Sequence, residues 1–223
     1  MLSRLQLLFR DPLGFLQYLL LYAVVILPSL ILHECAHGYV ALRCGDPTAK
    51  YMGRLSLDPR KHLDPMGTVF MVLFGFGWAK PVPVNPRNYR NPRRDDILVS
   101  LAGIAMNLIL FLLSTFLYVL IIRQAGYSMS AVQSALVDFF YLLASVNISL
   151  AIFNLLPIPP LDGYHVFNDI VLRGRLQLDY QTFRIAQIVL MVLCFTGALS
   201  GILSSANSAV TGFFQNLFWN ILP

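Results

Sequence analysis

Long apolar runs separated by short basic loops set the layout of this chain. The first run, residues 13–32, has no charged side chain. At about 1.5 Å per residue, a helix of that length can cross a hydrocarbon core of roughly 30 Å. The apolar pattern carries on, so one helix is expected over 13–44. Pro28 lies inside it, where a missing N–H favours a kink. Further spans are expected over 97–122, 131–156 and 183–203, and the tail, 206–223, is interfacial or a final helix. The run 66–78 holds only about 13 residues, short of the roughly 20 a spanning helix needs. It is re-entrant or a thin, tilted span, and Asp64-Pro65 is its N-cap and first turn.

Between these runs the polar stretches read differently. Alternation around residues 54–57 suggests short strands. The stretch Lys80-Pro81-Val82-Pro83-Val84-Asn85-Pro86 holds three prolines, which suit neither a helix interior nor a central strand. It reads as an extended edge or hairpin. Residues 91–96 form a charged turn in which Asp95 or Asp96 caps the next helix. The expected fold is an all-α polytopic membrane protein, a bundle of about four to six transmembrane or re-entrant helices with a small membrane-associated β-hairpin region. It forms one domain over 1–223, with a core over about 13–170 and C-terminal helices over about 180–222.

Composition strengthens this. Hydrophobic residues make up 57% and charged residues 12%, about half the roughly 25% charge of a soluble domain. The net charge of +5 is gathered in loops, with five Lys or Arg in 43–63, five in 79–94, three in 158–184 and one in 123–131. That distribution argues against nucleic acid and for the positive-inside rule, with the two most basic loops cytoplasmic. Arg4 and Arg10 vote the other way. Cys35, Cys44 and Cys194 are too few and too scattered for a disulfide framework or a cysteine zinc site. The N-terminal apolar stretch lacks a small-residue cleavage site and reads as a retained span.

The chemistry sits at the end of the first run, in His33-Glu34-Cys35-Ala36-His37-Gly38. Residues four apart share a helix face, so His33 and His37 can present two imidazoles to one metal ion. Glu34 follows the first, where a carboxylate can take a proton from water activated by the metal. Ionisable residues at membrane depth are expensive and point to function. A catalytic zinc needs a third protein ligand. His62 lies in a polar loop, where a solvated or capping histidine is the simpler account. Asp162 follows the proline-broken segment 157–160, where unwound backbone can project a carboxylate into a cavity. His165 would share its face and is a rival ligand, a supporting partner or an interface residue.

Together, His33-Glu34-x-x-His37, Gly103-x-x-x-Asn107 and Asn154-x-x-Pro157…Leu161-Asp162-Gly163 resemble the site-2 protease family of intramembrane zinc metalloproteases. Gly53-Arg54-Leu55-Ser56 and residues 77–86 are similar to its small prokaryotic branch, which lacks PDZ and CBS domains. The match covers about residues 30–165 in family order. Ile104 stands where the family often has proline, and Tyr164-His165 where smaller or basic residues are common. Neither departure touches a ligand.

The resemblance implies that His33, His37 and Asp162 hold one Zn2+ per chain and that Glu34 is the general base. Asn107 and Asn154 would support the reaction centre or its packing. The implied activity is hydrolysis of peptide bonds in or near transmembrane segments of single-span proteins in the bilayer, at a site near the cytoplasmic side of a multi-pass cell-membrane protein. Trp78, Lys80, Pro81, Val82, Pro83 and Val84 are the candidate substrate edge, pairing with an unwound segment by strand addition; the alternative is a cytoplasmic loop that merely rests on the bundle. The competing classes are a transporter, which should show repeat halves, and a non-catalytic zinc-binding membrane protein, which would not need Glu34.

Overall fold

The computed structural model describes residues 9–74, 77–126, 128–176 and 178–222; Arg4 and residues 75–76 lie outside them. Eight α-helices occur among the described residues: α1 (Pro12–Cys44), α2 (Thr48–Tyr51), α3 (Pro65–Phe74), α4 (Pro92–Ala125), α5 (Ala131–Asn154), α6 (Asp162–Ile170), α7 (Tyr180–Thr196) and α8 (Ser200–Ile221). The chain starts its helices where it offers caps. The Asp11 carboxylate accepts from Gly14 N at 2.9 Å, and Pro12 takes the first helical position. Gly45, at φ 111°, ends α1 in a left-handed turn that a side chain would strain. Ser130 and Gln133 close a reciprocal capping box on α5. As expected, Asp64 accepts from Gly67 N at 2.7 Å at the start of α3.

Three helices, α1, α4 and α5, are long and apolar enough to cross a membrane, and α7 with α8 makes a fourth such unit bent by 75°. The described chain therefore carries three to four candidate spans, at the low end of the four to six expected. The single span expected over 183–203 is broken. Gly197, at φ 73°, stops α7, and a second helix starts at Ser200 and runs through the expected tail. Among the described residues, the run 66–78 contributes to the ten-residue α3. Helix α4 starts earlier than expected, because Asn91 and Pro92 begin it, and Asp95 accepts from Asn91 N at 2.8 Å instead of capping. Pro28 does not interrupt α1.

The expected β-hairpin is absent among the described residues, which contain no strand and one isolated antiparallel bridge, Leu63 with Ala79. The reason is a shortage of donors. Pro81 and Pro83 have no N–H, and the carbonyls of Lys80 and Pro81 both accept from Arg54 Nη2, at 2.8 and 3.1 Å. Residues 55 and 56 form a bend with irregular backbone at 54 and 57, and His62 is buried, not solvated, with its Nε2 2.7 Å from Ser56 O.

Helix α4 is central: it touches α1, α5, α6 and α8. Val25 and Ile26 of α1 meet Val146 of α5, and Phe111 of α4 meets Ala144 and Ile148 of α5, with Phe214 of α8 packed alongside. Polar side chains join the spans as well. Asn147 Nδ2 donates to Ser29 Oγ at 2.9 Å, and Ser29 Oγ to Val25 O at 2.8 Å, a pairing suited to an apolar interior.

The polar loops are pinned by Asp46, which is fully buried. It accepts from Thr48 N and Oγ1, from Asn85 N at 2.6 Å and from Asn88 Nδ2 at 2.8 Å. Burial alone would raise its pKa, but the bonds from Thr48, Asn85 and Asn88 outweigh that and hold the carboxyl below its usual range. A depressed carboxyl stabilises the fold above its unfolded pKa, about 3.9, and that stability is lost as pH falls through the lower folded value. Asp46→Ala should therefore cost about 2–3 kcal/mol in detergent near neutral pH. The gap from wild type in thermal unfolding should narrow below about pH 4; equal melting at pH 7 would contradict this role.

Candidate metal centre

His33 and His37 occupy successive turns of α1, both buried and facing α4. Each ring is fixed through Nδ1. His37 Nδ1 lies 2.7 Å from Val99 O, and His33 Nδ1 lies 2.8 Å from Asn107 Oδ1. A backbone carbonyl can only accept, so His37 Nδ1 carries the proton and, in the neutral ring, Nε2 is bare. The Asn107 oxygen sets the same tautomer on His33.

Asp162 completes the set from the first position of α6. Its Oδ2 lies 3.3 Å from His33 Nε2 and 3.4 Å from His37 Nε2, and the two Nε2 atoms are 3.0 Å apart. Among the described residues, these three are the one His/Cys/Asp/Glu group whose ligand atoms converge. Asp162 Oδ2 is buried and receives no hydrogen bond. Three acceptors thus face one point with no donor among them, which is repulsive unless a cation lies there. The edges of 3.0–3.4 Å match the edge of about 3.3 Å in a tetrahedron with ligand bonds of about 2.0–2.1 Å. Two imidazoles and one carboxylate are a donor set suited to zinc.

Two glycines make this convergence possible. A Cβ on Gly103 would lie 2.4 Å from His37 Nε2 and 2.5 Å from His33 Cε1. The bare backbone of α4 is what admits the rings. A Cβ on Gly163 would lie 2.2 Å from Leu155 O, so only glycine lets α6 begin against the end of α5. Helix α6 is tied to α4 in its middle, where His165 Nδ1 lies 3.3 Å from Asp96 Oδ2, and at its far end, where Arg93 Nε donates to Asp169 O at 2.6 Å. Burial first, and then the neighbouring Asp96 charge, push the Asp169 carboxyl up to about 6.

The other expected residues divide clearly. Glu34 is half-buried on α1, and its Oε2 accepts from Val82 N at 2.7 Å. His165 belongs to the α4–α6 contact and His62 to the loop, so neither joins the three ligand atoms. Asn154 ends α5 and makes none of the hydrogen bonds that fix His33 or His37. Along the expected substrate edge, Trp78, Lys80, Pro81 and Val84 are exposed, Pro83 is half-buried and Val82 is buried. The sequence pattern did not single out the Val99 carbonyl, which has no side-chain signature. Gly103 stood out only as part of a motif and a small-residue face; its spacing of four from both Val99 and Asn107 was the available clue.

Apolar helices long enough to cross a membrane, with a His-His-carboxylate set facing inward, define a multi-pass membrane metalloprotein. The chain belongs to peptidase family M50, whose description matches residues 21–197. It is 40% identical over 215 residues to "Putative zinc metalloprotease YwhC" of Bacillus subtilis (strain 168), covering 95% of this chain and 97% of that protein. It is also 35% identical over 144 residues to "Putative zinc metalloprotease Rip2" of Mycobacterium tuberculosis, covering 62% of this chain and 52% of that protein. The Rip2 of Mycolicibacterium smegmatis is 30% identical over 158 residues, 69% of this chain and 58% of that protein. No solved structure gives a significant match. The protein is a zinc metalloprotease of this family, and the three converging residues are its candidate metal-binding site.

Gly103→Ala should keep its helix, since alanine favours helix over glycine, yet force the imidazoles apart. Bound zinc in the purified protein should fall well below one per chain. Asn107→Ala should weaken zinc by roughly 10- to 100-fold. Wild-type zinc content and affinity in both variants would refute this description of the centre.

Proposed function

We propose that this protein is an intramembrane endopeptidase that cleaves single-span membrane proteins within or near their transmembrane segments. The observation that carries the reading is the site's address. Its two histidines lie on α1 and the Asn107 and Gly103 that support them on α4, both helices long and apolar enough to cross a membrane. A substrate segment must come to that depth to be cut.

His33, His37 and Asp162 would hold the zinc. When bound, zinc is a Lewis acid that activates water and polarises the scissile carbonyl. Glu34 accepts the proton of the attacking water and returns it to the leaving amine. Asn107 and Val99 hold the imidazoles in the tautomer that leaves both Nε2 atoms free for the metal. A helical substrate hides its peptide bonds in intrahelical hydrogen bonds and must unwind first. In residues 78–84 the carbonyls of Lys80 and Pro81 and the amides of Lys80 and Val82 are already engaged, so an unwound chain would pair by strand addition at the exposed Val84 end. The basic loops 43–63 and 79–94 support a cytoplasmic position for this face, which gives water its route to the centre.

The test uses purified protein in detergent with a transmembrane peptide. Glu34→Gln should keep one zinc per chain and lose cleavage by roughly two orders of magnitude or more. Asp162→Ala should lose both zinc and cleavage, and an acidic substitution at Val84 should raise KM. Cleavage unchanged in Glu34→Gln would end the protease reading of this site.

A further inference from the structure

The Glu34 carboxylate is held by a backbone amide that the reaction scheme above does not use. Val82 N donates to Glu34 Oε2 at 2.7 Å, across 48 residues of sequence. Val82 sits between two prolines, so within residues 81–83 its amide is the one backbone donor. That strap, residues 79–85, is built to lie on α1. Gly38, one turn beyond Glu34, provides a notch: a Cβ there would lie 2.9 Å from Val82 Cγ1 and 2.6 Å from Leu55 Cδ2. Lys80 N donates to His62 O at 2.7 Å at one end, and Asn85 N donates to Asp46 at 2.6 Å at the other.

Between these anchors, one side chain holds the strap next to Val82. Arg54 Nη2 donates to Lys80 O at 2.8 Å and to Pro81 O at 3.1 Å. Arg54 is itself fixed, with its backbone N donating to Ala49 O at 2.9 Å. A charged donor on two successive carbonyls is a strong local restraint. Leu55, the next residue, fills the Gly38 notch beside Val82. Arg54 and Leu55 thus secure the backbone and the side-chain packing of the same short segment.

We propose that Arg54 is a positioning residue for the hydrolytic reaction, clamping the strap so that the Val82 amide fixes the carboxylate of Glu34. The inference rests on Glu34 being the general base. A glutamate side chain that is free to rotate loses rotamer freedom when it is ordered. The Val82 bond orders it before substrate arrives, engaging Oε2 and leaving the other oxygen for the proton. A base out of place by about 1 Å can cost roughly 100-fold in rate.

Two measurements on the zinc-loaded protein test this. The first is hydrogen exchange at the Val82 amide, followed by NMR on protein labelled with 15N at valine. In Arg54→Ala, exchange there should speed up at least roughly tenfold, as expected when a protecting contact opens more often, while α1 amides and zinc content stay as in wild type. Unchanged protection at Val82 would overturn the proposal, and this readout does not depend on any protease activity. The second is steady-state cleavage of a transmembrane peptide. Arg54→Ala should lower kcat by roughly 10- to 100-fold with KM within about twofold, Arg54→Lys should recover part of kcat, and Val82→Pro should fall further than Val82→Ala, which keeps the amide. A raised KM with wild-type kcat would make the strap a substrate edge only, and a raised kcat would make it a latch; either overturns the proposal. If Arg54→Ala does not fold, Arg54→Gln carries both measurements, because its amide reaches one carbonyl at a time. If wild-type protein with one zinc per chain fails to cleave, the protease reading fails, and the exchange result still decides the clamp.

Discussion

Three acceptor atoms pointing at one spot is the constraint the rest of this structure serves. His33 Nε2, His37 Nε2 and Asp162 Oδ2 lie within 3.0–3.4 Å of one another, and no donor stands between them. Left without a cation, that arrangement would push its members apart. Two of the atoms come from one helix and the third from 125 residues further on, so the fold must bring α6 to α1 and keep it there. Helix α4 does this. One face of it, at a repeat of four, carries the Val99 carbonyl for His37, the bare Gly103 where the rings pass, and the Asn107 oxygen for His33. Its N-terminal turn, through Arg93 and Asp96, then holds α6.

The same economy explains why polar groups are tolerated in a chain this apolar. Asn107, Asn147 and Ser29 are buried, and each makes a hydrogen bond between or within spans. In a lipid setting such bonds tie helices together where hydrophobic burial gives little preference. Outside the spans, Asp46 plays the corresponding part, gathering the ends of the polar loops under the strap that reaches Glu34. Glu34, the proposed base, is therefore linked to His33 and His37 through α1 and to the loops through Val82.

How much of this was legible depended on the kind of signal each residue carries. His33, Glu34 and His37 announce themselves by spacing, and Asp162 by its place after a proline-broken helix end together with a family resemblance. The long spans over α1, α4 and α5 follow from apolar length alone. What hydropathy could not show is backbone conformation: Gly197 in a left-handed turn splits the last span, and the prolines and Arg54 remove the pairing groups a hairpin would need. Nor could it show contacts made through main-chain atoms, such as Val99 O and Val82 N. Gly103 was visible as a small residue, but only the fold shows that its missing side chain is the space the imidazoles occupy.

The claim everything turns on is that the converging site of α1 and α6 binds one zinc and that this zinc supports hydrolysis. The direct test is to strip purified protein with a chelator, return zinc in measured steps, and record bound metal and cleavage of a transmembrane peptide in the same samples. The account predicts that cleavage rises in proportion to bound zinc and saturates at one ion per chain. Cleavage that persists in the stripped protein, or stays absent when one zinc per chain has been restored, would contradict it.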